Sequence, residues 1–426
     1  MGSNHEGTIR CCVGSPVFRP SHSLKDRGRH DAVMLALRTN NDLETAIKTW
    51  FSIPEEDDYV YYANTSVKLS QVQQILGQGG AKGLHSWYWS EENGERRPLP
   101  SPPVADIDSY ISIFLPTTAT ASALKSFAFN AKRSSIRSAV ANHIISKRFI
   151  DNSHPLYAQL AAIPKTKAGL PCNPYLDFWA WSCHALEWCG PPPLPQGLDK
   201  PSTTTAPSPP PEAGSASTSK MIMPPHRSHP LLAIFMHHFG CAIPTHEALT
   251  TLKLLAAGRT IADVGSGNGY WTMMLRSYGL SVIPVDSAQS EWRVNWLEDP
   301  PSSSSHMDDS SGGTVLADGA TWLSSQKTKG GKDLVLLIVY PIVGADGGGA
   351  FTRSLLAAYA GDTIAVVGTQ NHNGYTGFKG MAMDEYMERE HKNDGWKRVV
   401  QIPLPSFAGK DEALFVFQRR ESWCAS

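Results

Sequence analysis

The sequence predicts an α/β chain: a doubly wound, mostly parallel seven-strand sheet with an antiparallel C-terminal strand pair, preceded by a mainly helical N-terminal region. Three observations lead there. Beyond residue 221, short apolar runs alternate with stretches of helical apolar spacing, as parallel strands joined by crossover helices require. Residues 333–340 are almost wholly apolar, the pattern of a central strand covered on both faces. The last two apolar runs, 396–404 and 413–419, are joined by a loop with no helix between them, which suits an antiparallel pair.

Residues 1–30 are polar and irregular and read as a disordered tail. Residues 31–190 read as an accessory region. A helix is expected over 42–51, and one or two helices over 124–150, where Ile136, Val140 and Ile144 share a face ringed by Lys132, Arg133, Arg137, Lys147 and Arg148. Such a basic face suits an anionic partner and a solvated helix equally. Aromatic residues cluster at Tyr59, Tyr61 and Tyr62, at Trp87, Tyr88 and Trp89, and from Tyr175 to Trp188, where they read as packing area. Cys183, His184 and Cys189 do not complete a four-ligand metal set, so no metal is expected. Residues 191–220 are almost all Pro, Ser, Thr, Ala and Gly and read as a disordered linker.

After the linker, helices are expected at 230–239 and 245–257, then a strand, tight turn and helix opening at Ile261, the helix showing its apolar spacing at Trp271, Met274, Leu275 and Tyr278. Strands follow at 281–286, 314–318, 333–340 and 362–368, with helices at 288–297, 351–360 and 381–392. The Ser-rich stretch 299–313 reads as a loop insertion.

The organising stretch is Asp263-x-Gly265-x-Gly267-x-Gly269, an acid on a strand followed by three glycines at alternate positions before a helix. A chain reversing sharply beside a ligand needs glycine, because side chains would block the approach. The dinucleotide fingerprint places its third glycine three residues after the second, and Tyr270 occupies that position here. No Gly-Lys-Ser/Thr ending is present, which excludes the phosphate loop of NTPases. In this spacing, and in the closing strand pair, residues 221–426 resemble the class I, seven-strand, Rossmann-like S-adenosylmethionine-dependent methyltransferases.

That resemblance implies S-adenosyl-L-methionine as cofactor. Gly265, Ser266, Gly267, Asn268 and Gly269 would lie under its methionine part, with Asp263 organising the loop. Asp286 would accept hydrogen bonds from the ribose hydroxyls, Asp318 and Gly319 would meet the adenine edge, and Trp322 would stack on the ring. Each acid has an ordinary alternative as a solvated strand end or helix cap.

The acceptor side is less defined. Amino-methylating relatives end their fourth strand in Asn/Asp-Pro-Pro-aromatic, whereas this chain has Tyr340-Pro341-Ile342, which argues against amino methylation of a base or amide. Tyr340 and His372 are the candidate catalytic residues, His372 as general base in the polar loop after the fifth strand. Both have ordinary readings, a packed tyrosine and a surface histidine.

A net charge of −1 gives no electrostatic reason to expect nucleic acid. No apolar run is long enough to span a bilayer, and no signal-peptide core opens the chain. Seven scattered cysteines fit reduced thiols and a cytoplasmic location, the nucleus being compatible too. The sequence thus points to methyl transfer to an unidentified small-molecule or protein acceptor. A non-catalytic scaffold retaining the fold is the main alternative, and a nicotinamide oxidoreductase conflicts with the glycine spacing. Oligomeric state is not legible.

Overall fold

The computed structural model describes residues 18–58, 60–62, 66–79, 83–92, 95–166, 169–193, 229–287, 294–297, 313–325, 327–341, 347–371, 377–378 and 380–419. The N-terminal half contributes α1 (Pro20–Lys25), α2 (Arg27–Asn40), α3 (Leu43–Phe51), β1 (Val60–Tyr62), β2 (Ser66–Lys68) and α4 (Leu69–Gln78). It continues with β3 (Trp89–Glu92), β4 (Glu95–Pro98), α5 (Val104–Ser112), α6 (Thr120–Phe129), α7 (Ile136–Lys147), β5 (Phe149–Ile150), α8 (Tyr157–Ala161) and α9 (Pro174–Ala185). The second half contributes α10 (Leu231–Phe239), α11 (His246–Ala256), β6 (Ile261–Val264), α12 (Tyr270–Ser277), β7 (Val282–Asp286), β8 (Val315–Leu316) and α13 (Gly319–Ser324). It ends with β9 (Val335–Val339), α14 (Ala350–Ala358), β10 (Thr363–Thr369), α15 (Met383–Glu390), β11 (Trp396–Pro403) and β12 (Glu412–Arg419).

Local chemistry explains the helix ends. Asp26 and Asp42 cap α2 and α3 by accepting from the amides of Arg29 and Thr45, and Asn173 does the same for α9 through Leu176. Helices α2 and α3 stop at residues in the left-handed region, Asn41 and Ser52, both at φ 54°. The expected disordered tail is corrected from Pro20 onward, where helix begins; residues 1–17 lie outside the described residues. What composition missed is one anchor: Phe18 is buried against Trp50, Phe51 and Trp296, which offsets the entropy of ordering the polar residues beside it.

The large sheet runs β5-β11-β12-β10-β9-β6-β7-β8. The five strands β8, β7, β6, β9 and β10 are mutually parallel, and β12, β11 and β5 are each antiparallel to the preceding neighbour. The count is therefore eight where seven were expected. The extra strand is Phe149–Ile150, read from sequence as helix, which pairs with Gln401 and Val400 and covers what would have been the open edge at β11. The helix expected over 288–297 is also corrected in part: residues 294–297 are not helical, their backbone being held instead by the Trp296 amide on the Asn268 carbonyl at 2.9 Å. Residues 288–293 fall outside the description.

The sheet is covered on both faces. Helices α13, α14 and α15 pack on one side, burying Leu323, Leu355, Met383 and Met387 against Ala262, Val264, Leu336 and Phe415. On the other side α10, α11 and α12 share a continuous core with the N-terminal helices. Trp179 of α9 and Trp188 both donate their indole N–H to the Ser406 carbonyl, at 3.0 and 2.8 Å, and Arg148 forms a forked pair with Glu247 of α11 at 2.6 and 3.2 Å. The buried residues of the described N-terminal half are thus part of the sheet domain's core. Of the expected linker, 194–220 lie outside the described residues. No helix among the described residues is long and apolar enough to cross a membrane.

Candidate functional site

Strand order reverses between β6 and β9: β7 and β8 lie beyond β6, and β10 lies beyond β9. In open α/β sheets this switch opens a crevice beyond the carboxyl ends of the strands, where ligands bind. The turn from β6 to α12 occupies that end. Gly265, Gly267 and Gly269 sit at φ 79°, 57° and 77°, a region that side chains disfavour. Gly269 has a second reason, since a Cβ there would lie 2.4 Å from Leu297 Cγ.

The turn is fixed from below. Gly265 and Ser266 both donate their amides to the Val285 carbonyl, and Gly267 donates to Asp286 Oδ2 at 2.8 Å. Asp263 is fully buried, with Oδ2 accepting from Thr272 Oγ1 at 2.6 Å. Burial pushes its carboxyl up to about 6, against the pull of the Thr272 bond and Arg276 and with a further push from Asp286. Among the described residues Asp263 Oδ1, Ser266 Oγ and Asn268 Nδ2 are buried without a hydrogen-bond partner. Asn268 Oδ1 accepts from the Tyr270 amide at 3.2 Å, so its other end remains as a donor facing nothing described.

The other strand-end residues divide. Asp286 stands at the end of β7 with one carboxylate oxygen on the glycine turn. Asp318 is exposed and caps α13, accepting from the Thr321 amide and hydroxyl at 2.8 and 2.7 Å; these bonds hold its carboxyl below the usual range. Gly319 is a packing position: a Cβ would lie 2.3 Å from Val264 Cγ1, so glycine lets α13 rest on β6. Trp322 is half-buried against the α13 to α15 side. His372 lies outside the described residues.

Tyr340 leaves β9 at φ 55°, a strained conformation for a bulky residue. Its amide donates to the Val367 carbonyl at 2.7 Å and its hydroxyl donates to Glu412 Oε1 at 3.2 Å. Glu412, 1% exposed, was missed in the sequence reading. Burial raises its carboxyl to about 8, with Lys410, Ser406 and Tyr340 only partly opposing. Its Oε2 has no partner among the described residues. The available signal was an acid opening an otherwise apolar final strand, Glu412-Ala413-Leu414-Phe415-Val416. Beside it Asp411 accepts from His143 Nε2 at 2.7 Å and from Gln370 Nε2 at 2.8 Å, and Gln401 donates to Gln370 Oε1 at 2.8 Å.

The N-terminal half reaches the same crevice. Tyr270, first residue of α12, donates its hydroxyl to Asn173 Oδ1 at 2.7 Å and accepts from the Tyr175 amide at 3.2 Å. Tyr175 donates to the Gly240 carbonyl at 2.7 Å, and Trp296 donates its indole N–H to the His238 carbonyl at 2.6 Å. The glycine turn is therefore held by both halves of the chain.

Elsewhere His30, Cys172 and Asp177 bring three ligand-type atoms within 4.8 Å of one another. The ring is committed to hydrogen bonds: Nδ1 accepts from Trp50 Nε1 at 2.9 Å, so Nε2 carries the proton and donates to Asp177 Oδ2 at 3.0 Å. It presents an N–H where a metal needs a lone pair. Cys183 and Cys189 are buried, and His184 Nε2 pairs with Asp108 Oδ1 at 3.2 Å. A cavity of about 800 Å³ opens between the N-terminal helices, lined in part by Arg38, His85, Asp108, Trp181 and His184; no glycine-turn residue lines it.

No family model matches the chain, and no curated protein does. Among solved structures it is similar to an S-adenosylmethionine-dependent methyltransferase from Anabaena variabilis, at 14% identity and a TM-score of 0.30, over 40% of this chain and 82% of that one. It is also similar to the magnesium protoporphyrin IX methyltransferase of Synechocystis, solved with bound S-adenosylmethionine, at 12% identity and a TM-score of 0.28, over 40% of this chain and 79% of that one. Likeness at this level carries no weight for activity, which has to be argued from the site.

Proposed function

We propose that the chain is an S-adenosylmethionine-dependent methyltransferase. The observation that carries this reading is the glycine turn at the strand-order switch, with buried Ser266 Oγ and Asn268 Nδ2 lacking partners among the described residues and Asp286 closing the next strand. Those groups suit a ligand that combines an amino acid with a ribose. The strand order supports it too. With β5 set aside, seven strands remain, six of them parallel, with the antiparallel β12 inserted between β10 and β11, as in the class I family that the sequence resembles.

In this reading residues 265–269 lie under the amino-acid part. Asp286, whose Oδ2 accepts from the Gly267 amide at the end of β7, accepts from the ribose hydroxyls. Asp318 and Gly319 meet the adenine and Trp322 covers it. The donor supplies a methyl group on a positively charged sulfur. The protein's part is to align donor and acceptor for in-line displacement and to exclude water. The N-terminal region completes the crevice, since Asn173 and Tyr175 fix Tyr270. We place the protein in the cytoplasm or nucleus, acting on a small molecule or a protein.

Titration calorimetry with S-adenosylmethionine tests the reading, and absence of binding sinks it. Incubation of the protein with labelled donor and a cell lysate then identifies the class of acceptor by where label accumulates. Binding with no label transferred to any fraction favours the scaffold alternative.

A further inference from the structure

Glu412 is a buried acid that the glycine turn does not use and that keeps one carboxylate oxygen without a partner among the described residues. It opens β12 opposite Thr369, at the carboxyl end of the parallel strands, and its side chain is shut away from solvent. One oxygen receives the Tyr340 hydroxyl, and the other has no partner among the described residues. Tyr340 joins this acid to the crevice. Strands β6 and β9 are neighbours in parallel register, Asp263 beside Leu337, so the chain leaves β9 at Tyr340 next to the glycine turn. The left-handed backbone at Tyr340 is a strain that surrounding structure must impose, and such strain gathers at working sites.

We propose that the Tyr340–Glu412 pair exchanges a proton for the donor's positive charge: donor binding expels the proton of Glu412, and methyl transfer returns one from an acceptor of the O–H class. This rests on the methyltransferase reading. The acceptor's lone pair forms the new bond to the methyl carbon, and the carbon–sulfur bond breaks with its electron pair staying on sulfur. Sulfur changes from cationic sulfonium to uncharged thioether. The acceptor's proton passes through the Tyr340 hydroxyl to the Glu412 carboxylate, so the charge of the crevice is the same before and after.

The surroundings favour this exchange. A carboxylate this deeply buried is costly, and Lys410, Ser406 and Tyr340 offset that only in part, so Glu412 holds its proton up to about pH 8. A sulfonium at the crevice would add a second positive charge to that of Lys410. The charged and titratable groups facing Glu412 are Lys410 and Asp411 on the preceding loop, Tyr340 at the end of β9, Tyr110 of α5 and Tyr175 of α9. Both α-helical tyrosines are pushed well above their ordinary range by burial and stay neutral. Asp411 is tied to His143 and Gln370, so it is already engaged.

The test is titration calorimetry of the full chain with S-adenosylmethionine and, separately, with its demethylated product S-adenosylhomocysteine, in buffers of different ionisation enthalpy. Near pH 6.5 the donor is expected to release roughly half a proton or more beyond the product, because a shift of Glu412 through that pH is read directly as protons lost. E412Q should abolish the difference while still binding the product within about threefold, since the product carries no sulfonium for the lost charge to meet. Y340F, which cuts the link, should bind the donor with the wild-type proton count and lose the label-transfer rate. Equal proton release for the two ligands in the wild type, or a difference that persists in E412Q, overturns the proposal and leaves the methyltransferase reading standing. Binding of neither ligand overturns both. The wild-type comparison decides the matter alone if E412Q does not fold.

Discussion

Replacing Asp263 by asparagine removes a titrating carboxyl from beneath the glycine turn while preserving its shape and its acceptor for Thr272. The wild-type carboxyl is raised from 3.8 to about 6 in the folded protein, chiefly by burial. The folded state therefore keeps a proton that the unfolded chain has lost. Stability from this group is fully present below about 3.8 and is lost as pH rises through about 6. Two units correspond to about 3 kcal/mol, and no solvent discount applies because the residue is fully buried. D263N has no such titration. Its stability relative to wild type should improve by about 2 kcal/mol between pH 4 and pH 7, a shift of roughly 1 M in urea midpoint. Urea unfolding of both proteins at several pH values gives the difference curve, in which titration of Glu412 cancels because both proteins carry it. Parallel curves across that range would refute the reasoning: the buried carboxyl would then have a compensating partner, and its unsatisfied Oδ1 would not be the strained element under the turn.

Two further outcomes test the frame around the site. R148M should lower stability by about 3–5 kcal/mol in urea unfolding, because it leaves Glu247, 6% exposed, without its forked partner; R148M with E247L should recover most of that loss. Gly319→Ala places a methyl 2.3 Å from Val264 Cγ1 and 3.0 Å from Leu355 Cδ2. It should lose about 1–3 kcal/mol and weaken donor binding measured by calorimetry, with Val264→Ala restoring part of both. No recovery in the double variant would mean that Gly319 is needed for something other than space.

The alternation of the second half was legible because parallel strands and crossover helices impose their periods on the residues themselves. The glycine turn was legible because only glycine tolerates its backbone at three alternating positions. Residues 149–150 were not, since two residues at the end of a helical pattern carry no period, and their strand character comes wholly from pairing with β11. Residues 294–297 continue an apolar spacing that suits a helix, yet Trp296 is claimed by His238 and Asn268, contacts invisible to local pattern. Glu412 escaped for a related reason: an acid at a strand start is ordinarily solvated, and only the fold reveals that it is buried with the Tyr340 hydroxyl on one oxygen. The aromatic clusters were read as packing area; their indole and phenol groups also tie the halves together at Ser406 and Gly240.

Those ties set an order of events during synthesis. Trp179 waits for Ser406, which lies 227 residues further along the chain, and Phe18 waits for Trp296. At ordinary translation speed the first of these delays is roughly 10 to 45 s, during which the tryptophan-rich face of α9 has no sheet to cover it. The N-terminal half is thus a client of whatever shields nascent apolar surface in the cell.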